Sequence, residues 1–256
     1  MAKNFLESES AVSEVVGFIF VFSIVMLAIS VIYAVGYPAI QSSKENTQFQ
    51  NMEQSFMVLQ SNINTVAFGQ APGRTLETSL GGGSITVNSS KGHIRVENVT
   101  GGTIWYDDTI GAIEYEKEGR RIAYEGGGVW KRYPAGAAIK LSAPRIFVHG
   151  VEGNRTVFVS IINISSENGI SSVGGEGTAS VVARFDRTHT HYIYSPADDV
   201  EITVTSDYAD AWKRYFEGMA FDDVSKTDDV VTATISDFDG PFVVIVNEHV
   251  IEVEVS

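Results

Sequence analysis

From Val15 to Val35 the chain reads VVGFIFVFSIVMLAISVIYAV, without a single charge. As a helix at about 1.5 Å per residue this run is about 30 Å long, the thickness of a bilayer's hydrocarbon layer. It is apolar on every side, whereas a helix on the surface of a globular domain carries one apolar stripe. The remaining sequence reads as short strands that could not enclose such a rod. The segment is therefore expected to lie in membrane lipid. No A-x-A-like cleavage site follows it, since Val35-Gly36-Tyr37-Pro38 comes next, so the apolar run is expected to be retained.

Charge and composition narrow the function classes. Lys plus Arg number 18 against 32 Asp plus Glu, a formal net charge of −14. Nucleic acid is an unsuitable partner, because phosphate recognition needs a basic face. The chain has no cysteine, which removes disulfides, thiolate metal sites and cysteine nucleophiles. Four N-x-[ST] sequons, at Asn88, Asn98, Asn154 and Asn163, all follow the apolar run. They are possible glycosylation sites and favour an extracellular position for that part of the chain.

Tyr37-Pro38 is expected to end or kink the membrane helix, because proline lacks the amide donor. A second helical stretch is expected from Ala39 to Phe68. Its apolar residues Phe49, Met52, Phe56, Leu59, Ile63 and Val66 recur at intervals of three and four, a seven-residue repeat making one narrow stripe. Such a stripe packs either on the chain's own strands or on neighbouring copies. Gly69 and Ala71-Pro72-Gly73 close the helix.

From Thr75 onward the period changes to two. Strands are expected at 85–87, 93–99, 103–106, 112–116, 121–125, 139–141, 145–148, 156–164, 179–185, 192–194, 201–205, 230–235, 242–246 and 250–255. Glycine clusters at 81–83, 101–102, 126–128 and 174–175 mark turns, and 165–178 reads as a long loop. One short helix interrupts, with Ser206-Asp207 as its cap, Tyr208 to Glu217 as its body and Gly218 as its stop. Tyr208, Trp212, Tyr215 and Phe216 share a face, which packs on a sheet or forms a carbohydrate-stacking platform. The expected fold is mainly β, a β-sandwich or elongated β-roll with one inserted short helix, behind a long N-terminal hydrophobic α-helix. The expected segments are 1–10 as a leader or cytoplasmic piece, 11–36 transmembrane, 37–72 a kinked amphipathic stalk and 73–256 an extracellular β domain.

The segment Ala11-Val12-Ser13-Glu14-Val15-Val16-Gly17-Phe18, leading into the apolar run, resembles the N-terminus of archaeal type IV pilin-like proteins. The resemblance implies leader cleavage around Ser10, Ala11 and Val12, and a retained helix, with Glu14 and Gly17 at its start, that packs into a filament core or stays in the membrane. Glu14 would match the amine-pairing glutamate of bacterial pilins only if cutting falls before Ser10; otherwise it faces headgroups and water. Three further segments, 53–62, 69–74 and 204–212, are similar to a family of uncharacterised archaeal envelope proteins with this anchor-plus-β layout. These resemblances imply membrane lipid, copies of the chain itself or other pilin-like proteins as partners.

Catalytic signatures are missing. No P-loop, G-x-S-x-G elbow or H-E-x-x-H helix occurs. His189-Thr190-His191 is a metal-like pair without further ligands close in sequence. Asp198-Asp199, Asp222-Asp223, Asp228-Asp229 and Asp237-Phe238-Asp239-Gly240 are loop acids, either solvated or ligating calcium. No catalytic residue, metal or cofactor is expected. The function expected is a non-enzymatic, pilin-like cell-surface subunit displaying its β domain; the alternative is an anchored module that binds glycan or an envelope protein without forming filaments.

Overall fold

A computed structural model describes residues 3–151, 154–195, 199–236 and 242–256. The chain divides into two compact units, Met1–Gln50 and Asn51–Ser256. The division falls inside a single helix, α1 (Lys3–Ala67), of 65 residues. Pro38 lies within it, so of the two outcomes expected there, an end or a kink, the helix does not end. A proline removes one amide donor and one turn's bond. The apolar residues before Pro38 and the good helix formers after it, Ala39, Gln41, Lys44 and Glu45, carry the helix across.

The helix ends by a Schellman arrangement. Gly69 takes φ +71°, its amide donates to the Val66 carbonyl at 3.1 Å, and the Gln70 amide reaches back to Thr65 at 3.0 Å. A left-handed residue is needed at that position, and glycine adopts it without a Cβ clash.

The second unit is two sheets. One has five strands: β1 (Gly73–Ser79), β10 (Thr178–Ser195), β14 (Phe242–Val255), β8 (Asn154–Ser165) and β7 (Arg145–Val151), in that spatial order. The pair β14 and β8 is parallel, while the other pairs in this sheet are antiparallel. The other sheet runs β12 (Asp223–Thr227), β13 (Val230–Ser236), β11 (Asp199–Thr205), β2 (Ser84–Asn98), β3 (Thr103–Lys117), β4 (Arg120–Glu125), β5 (Gly128–Arg132) and β6 (Ile139–Ser142), with β9 (Ile170–Gly174) also on β2. The fold is mainly β with one long apolar helix and one short helix, α2 (Ala209–Glu217).

Inward residues of both sheets meet in one core, with Ile94, Val96 and Ile110 facing Val157, Val159, Val244 and Val246. The stripe of α1 that falls in this unit joins the buried set: Met52, Phe56, Leu59, Ile63 and Val66 are all at most 2% exposed. At roughly 2 kcal/mol each, those five side chains contribute on the order of 10 kcal/mol, an upper bound.

The expected loop 165–178 contains strand β9, and three other strands, β1, β5 and β12, lie outside the runs named from the sequence. In β9 and β12 the faces alternate only between half-buried and exposed, so the residues need not alternate in polarity. In β5, Val129 and Trp130 are both fully buried, so alternation disappears for the opposite reason. Several expected pairs of strands are single long ones. Strand β2 absorbs 85–87 and 93–99, with its register shifting between Asn88 and Gly92; β10 shifts between Phe185 and Arg187. Each bulge inverts the phase of the pattern.

The cap of α2 differs from expectation. The helix starts one residue later, with Tyr208 at its N-cap and no side-chain cap bond. The Ser206 hydroxyl instead donates to Glu125 at 2.5 Å while accepting the Tyr208 amide at 3.0 Å. Gly218 does stand at the C-cap, but with φ −83°.

Candidate functional site

Among the described residues, most of the exposed large apolar side chains lie along α1. Every large apolar side chain from Val15 to Ile40 is at least 44% exposed. An 18-residue window there has mean hydropathy 2.9 and none of it is buried. Among the described residues this is one helix long and apolar enough to cross a membrane. The Ser30 hydroxyl donates to the Met26 carbonyl at 2.7 Å, so even this polar group is satisfied within the helix, as a lipid environment requires. Gly17 has nothing within 4 Å of the place a Cβ would occupy. The backbone of α1 passes unbroken through Ser10, Ala11, Val12 and Glu14; their side chains lie outside the described residues. Phe49, first of the stripe, falls in the first unit and is 3% exposed.

The aromatic face of α2 is core. Tyr208, Trp212 and Phe216 are 0% exposed and Tyr215 is 7%, which overturns the stacking-platform alternative at this helix. The Trp212 ring lies 4.5 Å from Trp130. The Tyr215 hydroxyl donates to the carbonyls of Pro144 and Ile146 at 3.2 and 2.9 Å, tying α2 to the start of β7.

Beneath α2 sits a fully buried carboxyl, Glu125. Its Oε1 accepts from Ser206 at 2.5 Å and from the Trp212 indole at 3.1 Å. Burial pushes its pKa up to about 7, against the smaller pull of those two donors. Glu125 leads into a tight turn, Gly126-Gly127, whose φ values are +59° and +89°, the two left-handed positions of a type I′ hairpin. At the rim, Lys91 pairs with Asp207 at 2.8 Å, and that hydrogen bond holds the Asp207 carboxyl below its usual range.

The sequons fall in unlike settings. Asn163 is a clamp between the sheets: its Oδ1 accepts from the Gly111 amide at 3.0 Å. Its Nδ2 donates to the Thr109 carbonyl at 3.1 Å and to Glu248 at 3.0 Å. The Tyr106 hydroxyl donates to the same Glu248 oxygen at 3.1 Å. Both Nδ2 hydrogens are therefore engaged at the atom a glycan would need. Asn98 is 5% exposed, with Oδ1 accepting from Gly101 at 2.7 Å. Asn88 is only half-buried and accepts locally from Ser90 at 2.9 Å. Asn154 has its side chain outside the described residues.

The acid clusters serve turns. Both Asp199 oxygens accept from Thr100, and Oδ1 also takes the Val99 amide at 2.8 Å. Asp222 accepts the Ser236 amide at 2.8 Å, and Asp228 takes φ +53° in the turn between β12 and β13. Asp198 and Asp237 to Gly240 lie outside the described residues, as does the His191 side chain. His189 is exposed. Among the described residues, no three His, Cys, Asp or Glu side chains gather as a metal site would require.

Sequence reading did not single out Glu125, Glu248 or the clamp role of Asn163. Each is a polar residue in a strand or turn, and its value depends on partners far along the chain. The signal nearest to hand was the Gly126-Gly127-Gly128 triplet, which marked the turn but not the carboxyl before it.

A family of unknown function, DUF7289, matches residues 11–254. The chain belongs to this family. The DUF7289 region begins at Ala11, so it takes in the apolar helix and runs nearly to the end of β14. The chain is similar to two uncharacterised proteins of Archaeoglobus fulgidus. One is 23% identical, with 89% of this chain and 87% of the relative covered. The other is 26% identical, with 87% of each covered. No solved structure matches.

Proposed function

We propose that this DUF7289 protein is a non-enzymatic, pilin-like subunit of the archaeal cell surface. Its N-terminal helix anchors it in the membrane or assembles with other copies, and its β unit stands outside the cell. The observation that carries this reading is the unpartnered apolar surface from Val15 to Ile40. Left in water, that surface costs about 1.5–3 kcal/mol for each large side chain, so lipid or neighbouring helices must cover it. Three further points support the reading: the family match starts at Ala11, where leader removal is expected; Gly17 leaves space for a close helix approach; and the lower stripe of α1, Met52 to Val66, is already buried. Assembly would therefore use the upper helix.

N-terminal sequencing of the protein from native membranes tests it. A mature chain starting between Ser10 and Val12, or purified filaments containing the chain, is the expected result. An intact Met1 with no filaments would remove the pilin-like part and leave a plain anchored protein.

A further inference from the structure

The outer face of the five-stranded sheet is only partly covered by the last turns of α1. Contacts of Met52 and Ser55 with Thr78, and of Phe68 with His249, mark the covered part. Beyond the helix end the face is open, and three features converge there. The Arg145 guanidinium lies over the Phe68 ring, 4.4 Å from its centroid. It makes no ion pair among the described residues, in a chain with 32 acidic residues. Next to it is a cleft of about 290 Å³ lined by Ser61, Asn64, Thr65, Phe68, Gln70 and Arg145, and the Asn64 amide oxygen has no partner. Two residues along β7, on the same face as Arg145, Phe147 is 52% exposed. Its ring lies 6.2 Å from Phe158 at an interplanar angle of 22°.

These groups have complementary uses. A guanidinium seated over an aromatic ring still presents paired N–H donors, the geometry that pairs with a carboxylate. Hydroxyls and amides around it match the alternating donors and acceptors of a sugar. The exposed Phe147 ring, with Phe158 stacked against it, offers flat apolar area to the C–H face of a pyranose. The cleft is at the small end of ligand sites, large enough for a single ring.

We infer that this cleft, together with the neighbouring Phe147, binds a uronic-acid-bearing saccharide, its carboxylate on Arg145 and one ring face on Phe147. The site goes beyond the anchoring role and does not depend on whether copies assemble. The test uses the full chain in detergent micelles, titrated calorimetrically with trigalacturonate, with maltotriose and acetate as comparators. Trigalacturonate should bind at least about tenfold more tightly than maltotriose, the value of one charge-assisted contact. Arg145→Gln should bring the two within about twofold, and Phe147→Ala should weaken both by about fivefold. Both side chains are exposed, so the variants should melt with the wild type, which reports that they fold. Absence of trigalacturonate binding at millimolar concentration, a preference unchanged by Arg145→Gln, or acetate binding equal to trigalacturonate would each overturn the inference. None of those results touches the apolar helix, so the anchoring proposal would stand or fall separately.

Discussion

Glu125 shows how much one buried carboxyl can weigh. Its ordinary value of 4.5 rises to about 7 on burial, so the folded chain keeps a proton that the unfolded chain releases. Its contribution is intact below about pH 4.5 and is lost as pH rises through about 7, a change on the order of 3 kcal/mol. Glu125→Gln keeps the acceptor for Ser206 and Trp212 and removes the charge. Its melting temperature should therefore exceed the wild type's by about 6–12 °C at pH 8, with the gap closing toward pH 4.5. A gap that stays constant across that range would contradict the assignment. Asn163 makes a second prediction at this scale. Asn163→Ala removes the acceptor of Gly111 and the donor to Thr109 and Glu248, and should cost about 2–4 kcal/mol in denaturant unfolding. An unchanged midpoint would mean that the clamp contributes nothing. Neither role could be read from the sequence: Asn163-Ile164-Ser165 is a sequon by residue type, whereas its work is set by strands β3 and β14 arriving from elsewhere in the chain.

Among the elements, the C-terminal part of α1 and the hairpin strands were the most legible. The seven-residue spacing from Phe49 to Val66 identified in advance the residues that the structure buries. Phe56→Ala, at 1% exposure, should cost about 3–5 kcal/mol by leaving a cavity, read as a lowered unfolding midpoint. A loss below about 1 kcal/mol would show that the stripe packs loosely. Strand β11, with Val200, Ile202 and Val204 buried, alternates cleanly because one of its faces is core. By contrast β9 and β12 have no buried face, and β5 is buried at successive residues, so period two vanishes in all three. Pro38 does not end α1, because a single missing amide does not outweigh a helix whose neighbours keep their bonds.

At the scale of the whole molecule, the parallel pairing of β14 with β8 joins the last strand to one from mid-chain, a long-range choice no local pattern encodes. What the sequence does encode globally is an asymmetry. An uncharged apolar segment, Val15 to Val35, precedes a strongly acidic, strand-rich unit with a core of its own. The account depends on that segment being covered by lipid or by like helices. The most direct test is fractionation of native cells followed by an alkaline carbonate wash of the membranes. The account predicts that the protein stays with the washed membrane pellet and leaves it only in detergent. Recovery of the full-length, folded protein in the carbonate supernatant would contradict it.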